Sequence, residues 1–591
     1  MFDQGSSLGV VLASPAGRAA LERFLPGVSA SPILALMPGI RLGRLAELTP
    51  ALQDDPGLAM RLWATLAQVE DGTATVPYAP ARIPDPDYEP EAKPASARVD
   101  TPGPTPRWGV VEVTLHGPSR GNPFVDVELT AVFRTGTTER LVGGFYDDDG
   151  VYRLRLLAEE EGDWTFTTTS NARSLDGITG TVTVVAPQPG EHGPVRADGF
   201  HFRHADGTRH RPLGTTAYAW THQTEELQQQ TLATLAEAPF TKIRMGLFPK
   251  SYAFNANEPD RYVFPRNPTG GEQHAAWDTE RFDTAYFRQL ELRITELDAL
   301  GIQADLILFH PYDRWGFADL GPAADERYLR YVVRRLAAHS NVWWSMANEY
   351  DLIWSKTVDD WERLAAVVVD EDPYDHLISI HNCGPFYDHA KPWITHASVQ
   401  RVDVYRTAEN TDAWRAQWAK PVVIDECGYE GDIDQGWGNL TGEEMTRRFW
   451  EGAIRGGYVG HGETYLNDRE ELWWSKGGEL VGGSPARIAF LDRISGESPT
   501  GTLEPLPGEW DLPWAGVPGE YLIGYFGFNQ PRFRTVTLPQ GEFHLDVIDT
   551  WNMTVDPVPG VHRGSVRVDL PGRQFIAIRA RRTSQQVGDA R

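Results

Sequence analysis

Two runs of this sequence end in glutamates of the same kind. Asn341-Val-Trp-Trp-Ser-Met-Ala-Asn348-Glu349 is an apolar, strand-like stretch that stops at an Asn-Glu pair, and Lys420-Pro-Val-Val-Ile424-Asp425-Glu426 stops at a second glutamate. In a parallel barrel the strand C-termini face one mouth, where side chains from different strands converge. Two carboxyls presented there suit cleavage of a glycosidic bond, one as nucleophile and one as proton donor. The competing reading makes both glutamates surface acids of a barrel rim. An Asn-Glu pair alone is common, so the weight rests on its combination with the second strand-end glutamate. Strand alternation turns Asp425 to the side opposite Glu426, which favours a structural role, although it stays a rival nucleophile.

The elements that must position these residues follow from pattern. From about 210 to 490, strand-like runs (Pro212–Ala217, Lys242–Gly246, Gln303–Phe309, Val342–Met346, Leu377–Ile380, Thr395–Ser398, Val422–Ile424, Gly457–Gly460) alternate with helical ones such as Phe287–Leu297 and Arg327–Ala337. Eight strand signals with intervening helices predict a (β/α)8 TIM barrel. The 77 residues between the glutamates span three strand–helix units and place them on strands 4 and 7. Residues 105–187 show short alternating strands with Gly and Asp turns, the pattern of a β-sandwich, read either as carbohydrate-binding or as a structural brace. A second sandwich is expected over 498–591. Residues 1–75 read as a small helical domain, with Ser14-Pro15 as a helix start. Residues 76–104, with eight prolines, read as a stiff linker. The catalytic barrel domain is then 188–497. The expected class is multidomain α/β plus all-β: a TIM barrel flanked by two β-sandwich domains, with a small N-terminal helical domain.

The net charge of −27 over 591 residues opposes nucleic acid or an anionic membrane as partner. Aromatic residues make up 11% of the chain, a modest tilt toward stacking on sugar faces. No long apolar segment predicts a membrane span. Two cysteines, Cys383 and Cys427, are too few to staple several domains and read as reduced thiols. With no secretory leader pattern at the N-terminus, the expected location is cytoplasmic, which favours a small carbohydrate substrate. Self-association through the helical domain or the sandwiches is the expected route to any homo-oligomer.

Asn348-Glu349 after strand 4 and Glu426 after strand 7 resemble the clan A retaining glycoside hydrolases. More closely, the chain is similar to bacterial apiosidase-like barrel proteins with flanking sandwiches, some carrying a collagen-binding label. The matching segments are Gly121-Asn-Pro-Phe-Val-Asp-Val, Gly144-Phe-Tyr-Asp, His461-Gly-Glu-Thr-Tyr, Leu472-Trp-Trp-Ser-Lys-Gly-Gly and Ile548-Asp-Thr-Trp-Asn-Met-Thr. They spread the likeness over residues 105–583. The resemblance implies Glu349 as acid/base, Glu426 as nucleophile and Asn348 as a ligand of the sugar's 2-hydroxyl.

Arg244, at the end of strand 2, is the expected cation beside Glu426, which is expected to be ionised at neutral pH. Glu349 is expected to hold its proton through burial and the Glu426 charge. His310, Asp313 and Trp315 follow strand 3 and are candidates for sugar-hydroxyl contacts, in preference to a metal site. His381 ends strand 5 and His396 lies on strand 6, each a binding candidate or a satisfied core histidine. Glu463 is expected to bind sugar hydroxyls after strand 8, with Tyr465, Trp473 or Trp474 as the aromatic platform, and Trp354 reads either as a leaving-group wall or as a loop anchor. No metal or organic cofactor is expected. The function expected is a retaining exo-glycoside hydrolase acting on a short oligosaccharide or glycoside. The alternatives are a non-catalytic carbohydrate-binding or scaffold protein, and a transglycosidase using the same glutamates.

Overall fold

The computed structural model of the chain describes residues 2–31, 40–69, 78, 80–252, 254–271, 273–401 and 406–583. The expected boundary at 75–76 and the expected C-terminal limit at 591 lie outside these residues. Among the described residues no helix is long and apolar enough to cross a membrane.

Eight strands build the barrel: β1 Gly214–Thr216, β2 Lys242–Gly246, β3 Gln303–Ile307, β4 Val342–Ser345, β5 Ile378–Ser379, β6 Ala397–Gln400, β7 Val422–Glu426 and β8 Tyr458–His461. Their order is β5-β4-β3-β2-β1-β8-β7-β6, a nearly closed TIM barrel. β1 pairs in parallel with β2 and β8, β7 with β6 and β8, and β4 with β5. Every residue of β4 (Val-Trp-Trp-Ser) and of β7 (Val-Val-Ile-Asp-Glu) is buried. Strands covered on both faces read as continuous apolar runs, which is why these two stood out without alternation. The crossover helices carry their own start signals. Thr224 and Thr441 cap Glu225–Glu237 and Gly442–Ile454, and Thr357 with Asp360 forms a reciprocal capping box on Val358–Glu371, each satisfying amides that a helix start leaves open.

The chain divides into two compact units. The first comprises 1–194, 246–299 and 305–385. Its N-terminal helices, including Pro15–Phe24 and Pro56–Leu66, bury Phe2, Leu8, Leu21, Leu62 and Leu66, and Trp354 packs against that cluster. Arg41 pairs with Asp319 at 3.3 Å. Two sheets follow, an antiparallel one of four strands and one of five that is antiparallel except where Thr105–Pro106 runs parallel to Thr179–Val185. The alternation Val111, Val113, Leu115 inward against Glu112 and Thr114 is the sandwich signal expected for this segment. Buried charge ties this sandwich to barrel helices: Arg335 bonds Asp147 at 2.8 Å and Glu291 at 2.5 Å, and Arg155 bonds Glu291 at 2.6 Å. A guanidinium taken out of water needs such fork-like partners.

The second unit comprises 195–245, 300–304 and 386–591. A small antiparallel sheet (Val195–Asp198, His201–His204, Arg209–His210) precedes β1. After the helix Ser484–Gly496, a six-stranded sheet and the pair Phe533–Thr537 with Ser565–Asp569 enclose Leu512, Val536, Phe543, Leu545, Val568 and Ile578.

Candidate active site

Glu349 ends the β4 segment in a left-handed backbone conformation, φ 51° and ψ 56°. A glutamate pays for that conformation in strain, and non-glycine residues of this kind concentrate at functional sites. The flanking ladder holds it there: the Asn348 amide donates to the Phe309 carbonyl at 2.9 Å, and the Tyr350 amide to the His381 carbonyl at 2.9 Å. The Tyr312 hydroxyl donates to the Glu349 carboxylate. Burial, then the Glu349 charge, pushes the Tyr312 phenol well above its ordinary value, and the same two causes raise the Cys383 thiol. Asp351 fixes the neighbouring turn by accepting from the amides of Cys383 (2.7 Å) and Gly384 (2.8 Å). The buried Lys250 stands over the Tyr312 ring at 4.4 Å.

Glu426 closes β7. Its carboxylate accepts from the Tyr218 hydroxyl and faces Arg244 Nη1 at 3.3 Å. Trp474 lies edge-on to Tyr218 at 5.6 Å and within 6.0 Å of Tyr429, completing an aromatic surround. Burial raises the Glu426 carboxyl to about 8, with the neighbouring Tyr429 hydroxyl pulling the other way. The expectation of a fully ionised carboxylate at neutral pH is therefore corrected: loss of water opposes the charge that Arg244 favours.

Asp425 is not turned away from Glu426 as alternation predicts. Val399 pairs with Ile424 and Gln400 with Glu426, so the register slips and Asp425 is the extra residue. A bulge re-aims side chains at such a point. Arg244 consequently lies 4.0 Å from Asp425 as well as 3.3 Å from Glu426. Asp425 is spent on the barrel interior, bonded to Lys242 Nζ at 2.7 Å and to Ser398 Oγ at 2.6 Å. Both members of the Lys242–Asp425 pair are fully buried, so Lys242→Met leaves a buried carboxylate short of its cation. It is expected to cost about 3–5 kcal/mol, read as a lower denaturant midpoint. Lys242→Met with Asp425→Leu is expected to recover most of that loss.

This architecture has recognisable relatives. A family model described as the apiosidase-like catalytic domain matches residues 196–475. Flanking segments match domains of unknown function, DUF5060 over 104–171 and DUF5605 over 510–581. The crystal structure of a candidate glycoside hydrolase from Bacteroides vulgatus ATCC 8482 is 38% identical, with a TM-score of 0.76, over 82% of this chain and 100% of that one. The chain belongs to the apiosidase-like glycoside hydrolases. A family 5 glycoside hydrolase from Bacteroides vulgatus ATCC 8482 is 14% identical with a TM-score of 0.52, over 67% of this chain and 95% of that one, a likeness of fold alone. No curated protein matches.

In this apiosidase-like glycoside hydrolase the remaining expected residues fall into separate settings. His310 Nε2 donates to the Phe248 carbonyl at 3.1 Å. The Asp313 carboxylate is taken up by the amides of Trp315 (2.8 Å), Gly316 (3.1 Å) and Ala318 (2.7 Å), and burial raises its carboxyl to about 6. Trp315 stacks in the loop's aromatic layer and donates from Nε1 to Glu258 at 2.9 Å. His381 is wholly buried. His396 packs edge-on to Phe202 and bonds Thr395, and burial lowers its imidazole to about 3. Trp354 donates to the Asp351 carbonyl at 2.7 Å from its seat against the N-terminal helices. Glu463 accepts from the amides of Val481 and Gly482, both at 2.9 Å, and Tyr465 donates to Glu430 at 3.2 Å. Sequence reading passed over Tyr218, Tyr312, Tyr429 and Lys250. Tyr312 lies inside the His310–Trp315 run and Tyr429 three residues past Glu426, so closeness to the strand ends was the signal available.

Proposed function

We propose that this glycoside hydrolase is a retaining, exo-acting enzyme on a short oligosaccharide or glycoside, with Glu426 as nucleophile and Glu349 as acid/base. The observation that carries the reading is the Glu426 carboxylate at the end of β7, held between the Tyr218 hydroxyl and the Arg244 guanidinium. A carboxylate so fixed has no rotamer freedom to lose when it meets an anomeric carbon. Glu349, strained at the end of β4, serves as the proton donor. A Glu426 oxygen bonds to the anomeric carbon as the bond to the leaving oxygen breaks, and Glu349 delivers its proton to that oxygen. Water then attacks the glycosyl-enzyme, Glu349 takes the water's proton, and Glu426 leaves as carboxylate. Asn348 is assigned to the sugar's 2-hydroxyl. The long segment 249–276 supports exo action, since it brings Lys250 and Tyr252 against Tyr312 beside Glu349.

The test is a panel of aryl furanosides and pyranosides of both anomers, with NMR following the first-formed sugar. Retained configuration is expected, and inversion would remove Glu426 as nucleophile. An end-labelled oligosaccharide is expected to lose single sugars from one end; internal cleavage contradicts the exo assignment. Added methanol separates hydrolysis from transfer.

The pH profile follows from the same carboxylate. Glu426 must lose its proton to attack, so kcat/KM is expected to rise with pH along a limb displaced toward about 8. Arg244→Gln withdraws the cation that favours the anion, and is expected to move this limb further alkaline while lowering its plateau. An unmoved limb would detach it from Glu426.

A further inference from the structure

A third group of buried polar side chains takes no part in that chemistry. Glu430 lies just past β7 and Glu463 just past β8, where Glu430–Gly431 and Glu463–Thr464 pair in parallel. Segment 481–484 is bound across them: Val481 and Gly482 donate to Glu463, and Gly483 and Ser484 donate to Glu430 at 2.7 and 3.0 Å. Gly482 is seated so closely that a Cβ there would lie 2.6 Å from Glu463 Oε1 and 2.7 Å from Glu430 Oε2. Both carboxylates are at most 2% exposed, and among the described residues no lysine or arginine pairs with either. Two adjacent buried carboxylates require a shared proton or a cation.

His461 decides between them. It is fully buried, and its Nδ1 lies 3.0 Å from Thr215 Oγ1, which also accepts from Trp473 Nε1 at 2.8 Å. Its Nε2 has no hydrogen-bond partner among the described residues and lies 3.8 Å from Glu463 Oε1. A proton shared by the carboxylates would leave that nitrogen unsatisfied, whereas a metal ion would use it. One ligating atom from each of Glu430, His461 and Glu463 lies within 4.8 Å of the others. Small side-chain rotations close that spread to the metal–ligand distances of about 2.0–2.2 Å that Zn2+ takes. Thr215, oriented by Trp473, is the outer partner that fixes a ligating imidazole.

We propose that Glu430, His461 and Glu463 bind a divalent first-row cation that pins segment 481–484 to the ends of β7 and β8. The nitrogen in the donor set disfavours Ca2+ and Mg2+, which take oxygen ligands, and Zn2+ is expected to bind more tightly than Mn2+. The ion would be structural and would stand against the expectation of a metal-free protein.

The full chain, stripped with chelator and dialysed, is titrated calorimetrically with ZnCl2 and MnCl2 and melted in each. The expected result is about one Zn2+ per chain and a raised melting temperature, with affinity falling at least about tenfold in Glu430→Gln and in His461→Gln. X-ray absorption on the zinc-loaded wild type checks the ligand set directly, as one nitrogen with oxygens, should either variant fold poorly. Absence of zinc uptake by the wild type, binding unchanged in both variants, or a sulfur or all-oxygen ligand shell would each overturn the site.

Discussion

Glu426→Gly is expected to lower kcat by at least about 10^5-fold, because it removes the atom that forms the covalent intermediate. Azide, small enough for the space the carboxylate leaves, is then expected to attack an activated aryl glycoside directly and yield a glycosyl azide of inverted configuration. More than about a hundredth of wild-type kcat, or an azide product of retained configuration, would disqualify Glu426. Stability should move the other way. Folded Glu426 keeps its proton to about 8 against an ordinary value of 4.5. As pH rises between those values the unfolded chain sheds its proton first, so the stability that protonated Glu426 contributes is present below 4.5 and lost by about 8. The glycine variant escapes that loss. Its melting temperature is expected to fall less than the wild type's from pH 5 to pH 8, a trade of stability for function at a catalytic carboxylate.

Glu349→Gln is expected to divide substrates by leaving group. With a poor leaving group, loss of the proton donor costs about 10^2–10^4-fold. With dinitrophenolate, which departs unprotonated, formation of the glycosyl-enzyme is nearly spared and its hydrolysis becomes slow, so a burst of phenolate precedes a weak steady state. Azide relieves that second step and gives a product of retained configuration. Glutamine keeps the side-chain length and an oxygen for Tyr312, so the backbone of the Glu349 turn is left alone. An equal loss across leaving groups, with no burst, would place Glu349 outside proton transfer.

Much of the molecule was legible because the signals are local. Strand–helix alternation, Ser14-Pro15 at a helix start and unbroken apolar runs at β4 and β7 are written within a dozen residues, and they suffice for a barrel with strands at both flanks. The contact of Arg244 with Glu426 followed from both being strand-end residues of opposite charge. The settings of the loop residues were hidden. Asp313 has the chemistry of a sugar ligand, yet three amides of its own loop occupy it, and nothing in the one-dimensional run distinguishes the two uses.

What the sequence determined by itself is therefore the set of chemical groups and the strand ends that carry them. Residue type and the period of side-chain burial are properties of neighbours along the chain. What the tertiary structure alone decided is how those groups are charged and aimed. The register slip between β6 and β7 at Asp425 depends on where β6 lies beside β7. The raised Glu426 carboxyl depends on how much water the whole surround excludes. The assembly of Glu430, His461 and Glu463 depends on two strands and a distant segment meeting. Each is set by residues brought together across tens to hundreds of positions, and desolvation and charge act through space, not along the chain.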